Sequence, residues 1–177
     1  MIRDLSKFAE ADQKSKRIKK LFWWLTQNLI FKSFLIPSPL RVGLLRIFGA
    51  EIGNNVLIRR GVRVHLPWNL KVGANCWIGE DVWIINHAEV TVESNVCISQ
   101  AAIICSSGHD FRTESLSYKH RKIKIHSGAW ICLRATVRPG SIIGSNSVVA
   151  SGEVFSGSLP ANSLYTMGLC KPIVELS

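Results

Sequence analysis

The segment Ser106-Ser107-Gly108-His109-Asp110-Phe111-Arg112 contains the residue of this chain best suited to chemistry. Histidine removes protons effectively near neutral pH, because the ordinary pKa of its side chain is about 6.5. A well-positioned general base accelerates a reaction by about 10² to 10⁴. His109 is therefore a candidate base for activating a hydroxyl nucleophile. The alternative is a surface histidine without a catalytic role, and the position of His109 in the fold must decide between the two.

Two more histidines precede His109 at equal intervals, because His65, His87 and His109 follow one another 22 residues apart. Three histidines on one edge of a fold could bind zinc if their nitrogens converged to about 2.0 to 2.1 Å from the metal. His120 and His126 do not supply the close pair of histidines that such a site needs. We therefore expect no metal in this protein.

An aliphatic residue returns every six positions along much of the chain, and this ladder predicts the elements that must position His109. A helix has a period of 3.6 residues and a strand a period of 2, so a period of six indicates short strands in a coil whose turns stack. The predicted fold class is mainly β, a parallel β-helix of about five triangular coils with one strand per face. The rungs of the ladder are Ile52, Ile58, Val64, Val72, Ile78, Ile84, Val92, Ile98, Ile104, Ile125, Ile131, Val137, Ile143, Val149 and Phe155.

The intervals between rungs predict where the coil is interrupted. The interval widens to eight residues after Val64 and after Ile84, and to 21 residues after Ile104. All three insertions fall at one corner of the triangle, so the long loop of residues 105–124 projects from that corner. Loops that leave a rigid scaffold often carry function. This position favours a functional role for His109.

Asn86 is predicted to lie at the same corner, one coil below the loop of His109. Its carboxamide could orient the hydroxyl of an acceptor molecule for attack. Asparagine is also a common turn residue, and that structural role would explain its position equally well.

We predict three parts of the chain. Residues 1–49 form an N-terminal arm with α-helical segments, residues 50–158 form the β-helix with its inserted loop, and residues 159–177 form a C-terminal extension. A chain of 177 residues is long enough for one domain with a substantial core.

The first predicted helix, between residues 16 and 36, combines basic residues with tryptophan, phenylalanine and leucine. Its apolar stretch is too interrupted to span a membrane. One interpretation is a peripheral helix whose basic end is attracted to anionic headgroups. The other is a helix packed on the β-helix or on a neighbouring subunit, which aromatic stripes favour. A second helix, Leu40–Phe48, is predicted to have Ser38 as its N-cap and to end at Gly49.

Composition limits the partners and the compartment. The net charge of +10 is concentrated near the N-terminus and between residues 119 and 124, which favours phosphate-bearing partners. The five cysteines form no CxxC pair, and the first twenty residues have no apolar core followed by a cleavage site. We expect a cytoplasmic protein. If the first helix binds headgroups, the protein would lie at the inner face of the cell membrane.

The repeat also resembles a known family, the hexapeptide-repeat acyltransferases, which fold as left-handed parallel β-helices. The resemblance covers approximately residues 50–173. The segments that carry it are Ile52-Gly53-Asn54-Asn55-Val56, Ile78-Gly79-Glu80-Asp81-Val82 and Ile143-Gly144-Ser145-Asn146-Ser147. Three further stretches resemble the colanic acid biosynthesis type of O-acetyltransferase: Asp4-Leu5-Ser6-Lys7-Phe8, Leu45-Arg46-Ile47-Phe48-Gly49-Ala50-Glu51-Ile52-Gly53 and His109-Asp110-Phe111-Arg112.

The resemblance implies transfer of an acetyl group from acetyl-CoA to a sugar hydroxyl of a bacterial exopolysaccharide or of its lipid-linked precursor. It implies direct attack by the hydroxyl, with no covalent acyl-enzyme and no metal. His109 matches the loop histidine that serves as general base in the family. A homotrimer with active sites at the subunit boundaries is also implied.

The same resemblance implies the residues that bind the co-substrate. The backbone N–H of Leu133, in Trp130-Ile131-Cys132-Leu133, matches the donor that stabilises the oxyanion. Trp130 matches the flank of the CoA arm, and Ser151 matches a backbone contact to pantetheine. Lys171 is the candidate for the CoA phosphates, although Gly168-Leu169-Cys170-Lys171-Pro172 departs from the Gly-x-Pro-Ala-Lys element of many members.

Three alternatives stay open at this point. A non-catalytic scaffold that docks on the membrane through residues 16–36 would not bind acetyl-CoA. A γ-class carbonic anhydrase would bind zinc through the regularly spaced histidines. Nucleic-acid binding is suggested only by the sequence pI of about 9.8, and no aromatic and basic recognition motif supports it, so we expect no nucleic-acid partner.

Overall fold

A computed structural model describes residues 17–110, 112–113 and 116–173. The segment Asp4-Leu5-Ser6-Lys7-Phe8, which carries part of the family resemblance, lies outside the described residues. Phe111, within the loop of His109, also lies outside them.

Two helices precede the strands. Helix α1 spans Arg17–Thr26 and runs into a π-helical turn at Gln27–Phe31, and helix α2 spans Ser38–Ile47. The prediction of Ser38 as N-cap is wrong, because Pro37 occupies the cap position with extended backbone. The Ser38 hydroxyl instead accepts a hydrogen bond from the backbone N–H of Ile58 at 2.8 Å, which ties α2 to the first coil.

Most strands are two residues long and carry a single inward rung, whereas β4, β7 and β10 bury two side chains each. A 3-10 turn at Pro67–Asn69 separates β3 from β4. The strands are β1 Glu51–Ile52, β2 Leu57–Ile58, β3 Arg63–Val64, β4 Leu70–Val72, β5 Trp77–Ile78, β6 Trp83–Ile85, β7 Val90–Val92, β8 Cys97–Ile98, β9 Ile103–Cys105, β10 Ile123–Ile125, β11 Trp130–Ile131, β12 Thr136–Val137, β13 Ile142–Ile143, β14 Val148–Val149, β15 Val154–Phe155, β16 Ser158–Leu159, β17 Ser163–Thr166 and β18 Leu169–Pro172.

Successive coils stack their strands into three faces. The first face has the order β1-β4-β7-β10-β13-β16, the second β2-β5-β8-β11-β14-β17-β18, and the third β3-β6-β9-β12-β15. Pairing is parallel apart from β17 with β18. The predicted β-helix of about five coils is confirmed, and β16 and β17 add part of a sixth coil. The boundary expected at residue 158 therefore falls inside this partial coil.

The core is the ladder itself. The rungs are buried, and small side chains such as Ala102, Ala129 and Ala135 fill the second inward position at each corner. Asparagines with positive φ form the turns between the first and second faces, and their amides bond from coil to coil, as from Asn55 to Asn75 at 3.2 Å. Asparagine tolerates this left-handed backbone better than most residues, so the repeat places it where the corner is tightest.

The helices close the open end of the first coil, which we call the base. Trp23 is buried, packs edge-on against Phe31 with ring centroids 5.3 Å apart, and donates its indole N–H to the Val64 carbonyl at 2.7 Å. The buried guanidinium of Arg41 donates to the carbonyls of Phe31, Ser33 and Ile58. These contacts satisfy backbone groups that an open coil end would leave exposed. No helix among the described residues is both long and apolar enough to cross a bilayer.

Candidate active site

The long loop leaves the corner between the third and first faces after β9 and returns at β10. It is a narrow hairpin rather than an open loop. Lys119 donates its N–H to the Gly108 carbonyl at 2.7 Å, and Asp110 donates to the Ser117 carbonyl at 2.8 Å. His109 pairs with Tyr118 between these two bonds, so the backbone that carries the candidate base is held from both sides.

A backbone carbonyl determines which tautomer the neutral ring of His109 adopts. Its Nδ1 lies 2.7 Å from the carbonyl oxygen of Leu116. A carbonyl can only accept, so Nδ1 carries the hydrogen, and in the neutral ring Nε2 holds the lone pair. This tautomer is the one that a general base needs.

A basic cleft of about 370 Å³ adjoins the imidazole. Arg112, Lys119, Arg121 and Arg138 line it together with His109. Among the described residues that line the cleft, Asp110 is the acidic one; its carboxylate accepts from the backbone N–H of Arg112 at 3.0 Å and lies 3.7 Å from Lys119 Nζ. The Arg112 N–H lowers the pKa of Asp110 most, and the lysine lowers it further. The excess of positive charge suits a phosphate-bearing ligand.

Below the hairpin, aromatic rings stack along the same corner, and the sequence did not indicate this arrangement. His65 stacks on His87 with centroids 4.3 Å apart, and His87 stacks on His120 at 4.9 Å. Tyr118 joins His120 to His109, at 5.2 and 4.5 Å. The 22-residue spacing explains the first two rings, but the third position belongs to His120 because the hairpin extends His109 above the column.

The histidine column is not arranged as a metal site. The rings of His87 and His120 are inclined by only 10°, so they lie face to face rather than directing nitrogens at a common point. Among the described residues no group of three or more histidine, cysteine or acidic side chains is placed to hold a metal ion.

Asn86 has a structural role. Its side chain is fully buried, its Oδ1 accepts from the Leu66 N–H at 2.9 Å, and its Nδ2 donates to the Leu66 carbonyl at 2.7 Å. These two bonds replace a backbone pairing where the coil turns. We therefore do not carry forward the expectation that Asn86 orients an acceptor hydroxyl.

Leu133 and Ser151 lie one above the other at a different corner, between the second and third faces. The Gly152 N–H donates to the Leu133 carbonyl at 2.9 Å, which fixes the two turns in register. Leu133 precedes Arg134, which has φ of 56°, and Ala135 donates to Cys132 at 3.1 Å. A positive φ at the third residue is typical of a type II turn, in which the N–H of Leu133 belongs to the second residue. Within the described part of the chain, this N–H of Leu133 has no hydrogen-bond acceptor.

Trp130 and Lys171 lie on the second face beside that corner, and the strand register aligns them. Trp130 pairs with Val148, Val148 with Leu164, and Leu164 with Lys171. Three strand spacings separate the two residues, about 14 Å along the stack. Trp130 is 48% exposed, and its indole N–H donates to the Ser99 hydroxyl at 2.8 Å, which fixes the ring against the face. The register of Lys171, which the sequence left uncertain, is thereby defined.

Within one chain, the candidate base and the candidate oxyanion donor lie at opposite edges of the third face. The hairpin of His109 follows β9 at the end of that face, whereas Leu133 precedes β12 at its beginning. A single chain therefore does not bring His109 and Leu133 together.

A larger concavity, of about 690 Å³, lies on the first face. Its charged side chains, Glu51, Lys71 and Glu93, are already engaged in ion pairs. Lys71 lies 3.1 Å from Glu51, and Glu93 lies 3.2 Å from Lys124 and 3.1 Å from His126. We assign no chemistry to this open surface and prefer the smaller cleft that contains His109.

Comparison with known proteins gives relatives of one kind. The chain is 35% identical over 164 residues to the "Putative colanic acid biosynthesis acetyltransferase WcaF" of Escherichia coli K12, covering 91% of this chain and 90% of the relative. It is 26% identical over 141 residues to the galactoside O-acetyltransferase of the same organism, covering 77% of this chain and 69% of the relative. No family model matches the chain.

Solved structures show the same fold. A hexapeptide-repeat acetyltransferase of Vibrio cholerae, VCA0836, complexed with acetyl-CoA, superposes with a TM-score of 0.78 at 19% identity, covering 96% of this chain and 91% of that one. A galactoside acetyltransferase in complex with coenzyme A gives a TM-score of 0.82 at 22% identity, covering 96% and 86%.

The fold and the near-complete match to WcaF define the class. This chain belongs to the hexapeptide-repeat acetyltransferases, the left-handed parallel β-helix enzymes that its repeat resembles. Within them its relative at 35% identity is the colanic acid type of acetyltransferase.

Proposed function

We propose that this protein is an O-acetyltransferase that uses acetyl-CoA to acetylate a sugar hydroxyl of a bacterial exopolysaccharide or of its lipid-linked precursor. The observation that carries the proposal is the hydrogen bond from His109 Nδ1 to the Leu116 carbonyl, which assigns the lone pair of the neutral ring to Nε2, on a segment whose backbone is paired on both sides of His109. The names of the relatives support acetyl transfer and a saccharide pathway.

The chemistry is a direct attack. Nε2 of His109 takes the proton of the acceptor hydroxyl while that oxygen bonds to the thioester carbonyl carbon. The Leu133 N–H stabilises the oxyanion that forms on the carbonyl oxygen. Collapse of this tetrahedral species breaks the carbon–sulfur bond, and the departing thiolate takes the proton that the imidazolium received from the hydroxyl. The product is the acetyl ester together with CoA, so atoms and charges balance.

The second face and its neighbouring corner suit the CoA arm. Trp130, Leu133, Ser151 and Lys171 lie along one exposed strip that runs parallel to the coil stack. An extended arm whose thioester lies at Leu133 could pass Ser151 and bring its phosphates toward Lys171. This arrangement supports the cofactor contacts that the family resemblance implies.

A homotrimer would complete the site. Because His109 and Leu133 lie at different corners of one chain, a neighbouring chain must bring its Leu133 corner to the His109 hairpin. A closed ring of three chains supplies three such boundaries with one repeated interface. The exposed apolar side chains of Trp83, Leu133 and Val154 offer surface for such contacts. We place this enzyme in the cytoplasm, where its five free cysteines would stay reduced.

Acceptor specificity and cofactor use can be tested together. Purified protein is incubated with acetyl-CoA and a panel of free sugars, repeat-unit oligosaccharides and diphosphate-linked lipid saccharides, and acetylated products are identified by mass spectrometry. We expect acetyl ester only with saccharide acceptors. Calorimetric titration of acetyl-CoA provides the second measurement. Absence of acetyl-CoA binding would contradict the proposal and favour the non-catalytic scaffold.

A further inference from the structure

Helix α1 has two apolar sides, although only one of them packs on the protein. The packed side holds Trp23, and the buried Phe31 follows it in the π-helical turn. The opposite side repeats at helical spacing and remains exposed. Its members and their exposed fractions are Ile18 at 74%, Leu21 at 56%, Phe22 at 60% and Leu25 at 38%, and Leu29 of the π-helical turn, at 75%, continues it.

The exposed apolar surface continues from α1 to α2. Phe34 and Leu35 in the connection are 74% and 72% exposed, and Leu40 and Ile47 of α2 are 57% and 78% exposed. Helix α2 packs on β1 and β2, the first strands of their sheets, by the side that carries Val42 and Leu45. Its exposed side chains therefore face away from the coil stack. We call this set of outward side chains from Ile18 to Ile47 the base surface.

The charge of the same segment indicates what covers it. Residues 17–50 contain six basic residues, Arg17, Lys19, Lys20, Lys32, Arg41 and Arg46, and no acidic residue. Arg41 is buried, whereas Arg17 and Lys19 are exposed beside the apolar stripe. A second copy of this surface would bring like charges together, whereas anionic headgroups would meet them with opposite charge.

We propose that the base surface docks on a lipid bilayer that contains anionic lipid. Ile18, Phe22, Leu25 and Leu29 enter the boundary between headgroups and acyl chains, and Arg17 and Lys19 bind lipid phosphates. Apolar side chains on one side of a helix with basic residues at its flanks are the arrangement that binds in the interface plane. The interaction is peripheral.

Docking through the base also orients the active site. The coil axis would stand upright on the bilayer, and the His109 corner would rise from it through His65 of the first coil and His87 of the second. His109 follows the third coil, so it lies about 10 to 15 Å above the first strands. That height would suit a saccharide whose lipid anchor stays in the bilayer. This consequence rests on the proposed function, whereas the docking itself does not.

Vesicle sedimentation tests the docking without any substrate. The full chain is mixed with vesicles of phosphatidylcholine alone or of equal parts phosphatidylcholine and phosphatidylglycerol. The test variant is Phe22→Ser combined with Leu25→Ser. The matched control is Ile142→Ser combined with Leu169→Ser, which removes side chains of similar exposure, 45% and 57%, from the faces of the coil.

We expect the wild type and the control to sediment with the vesicles that contain phosphatidylglycerol. The test variant should bind these vesicles at least about tenfold more weakly. Added salt should release the wild type. Equal binding of wild type and test variant, or no binding of the wild type, would overturn the proposal. Light scattering provides the second readout, because a test variant that loses oligomeric state would show that a second copy covers the base surface. Acetyl-CoA turnover with a soluble acceptor is measured in parallel, so that failure of the transferase remains distinct from failure of docking.

Discussion

At the scale of single residues, the candidate active site depends on backbone groups as much as on side chains. The Leu116 carbonyl determines which nitrogen of His109 carries the hydrogen. The N–H of Leu133 belongs to the turn in which Arg134 has positive φ. Both groups are amide atoms, so alanine substitution at either residue would leave them in place.

Proline at position 133 removes the candidate oxyanion donor while respecting the turn. Proline is favoured at the second position of a type II turn, so we expect Leu133→Pro to fold. Loss of one oxyanion donor should lower kcat by about 10² to 10³. Steady-state release of CoA measures this loss.

Gln100→Pro is the matched control for this variant. Gln100 occupies the same position of the equivalent turn one coil earlier, where Ala101 has φ of 55° and Ala102 donates to Ser99. Circular dichroism establishes that both variants fold. A Leu133→Pro enzyme as active as Gln100→Pro would exclude the Leu133 N–H as the donor.

At the scale of elements, α1 contains two adjacent tryptophans that differ in burial. Trp23 closes the base of the core, whereas its neighbour Trp24 is 58% exposed. Substituting each of these two tryptophans in turn therefore separates the effect of burial on stability from the effect of losing a tryptophan.

Trp23→Ala should cost about 3 to 5 kcal/mol of unfolding free energy, because it empties a packed site and leaves the Val64 carbonyl without its indole donor. Trp24→Ala should change stability by about 0.5 kcal/mol or less. Chemical denaturation measures both values. A similar loss of unfolding free energy in the two variants would contradict the burial of Trp23 against the first coil.

The histidine column makes stability depend on pH. The pKa of His87 is lowered from 6.5 to about 4, mainly by burial and in smaller part by the nearby groups of His65, His120, Lys20 and His109. Between these two pH values the unfolded chain binds a proton that the folded chain does not. Stability should therefore fall as the pH decreases from 6.5 toward about 4, with no further contribution from His87 below that range.

His87→Phe keeps a stacking ring but cannot titrate, so the melting temperature of this variant should decrease less across that pH interval. The burial of His65 and of His120 lowers their pKa values in the same direction, so part of the dependence should remain. Thermal melts followed by circular dichroism measure the two slopes. Identical slopes would mean that folding does not shift the pKa of His87, which would contradict this prediction.

At the scale of the whole molecule, a period of six residues was enough to predict the coil, its faces and the corner of the insertion. Each rung is set by one aliphatic residue of the local sequence, and stacking places it above the matching rung of the preceding coil, as Ile78 lies above Ile58. The histidine column was missed because it depends on the path of the hairpin, which brings His120 rather than His109 onto His87. The buried pairing of Asn86 with Leu66 was also beyond the sequence, since a turn residue can point inward or outward.

The proposed trimer makes a prediction about mixed assemblies. If each site combines His109 of one chain with Leu133 of its neighbour, then co-expressed His109→Ala and Leu133→Pro chains should recover activity that neither has alone. Random assembly from equal amounts gives about a quarter of the sites both functional groups. Activity of the mixture no higher than that of either variant would contradict a shared site.

The most direct test of the account is the rate of CoA release from acetyl-CoA, in the presence of a saccharide acceptor, for His109→Ala beside His120→Ala. Both substitutions remove an imidazole from the same corner, but only His109 donates Nδ1–H to Leu116. We expect the rate to fall by about 10² to 10⁴ for His109→Ala, with acetyl-CoA binding retained, and to change much less for His120→Ala. An undiminished rate in His109→Ala would show that another group is the base.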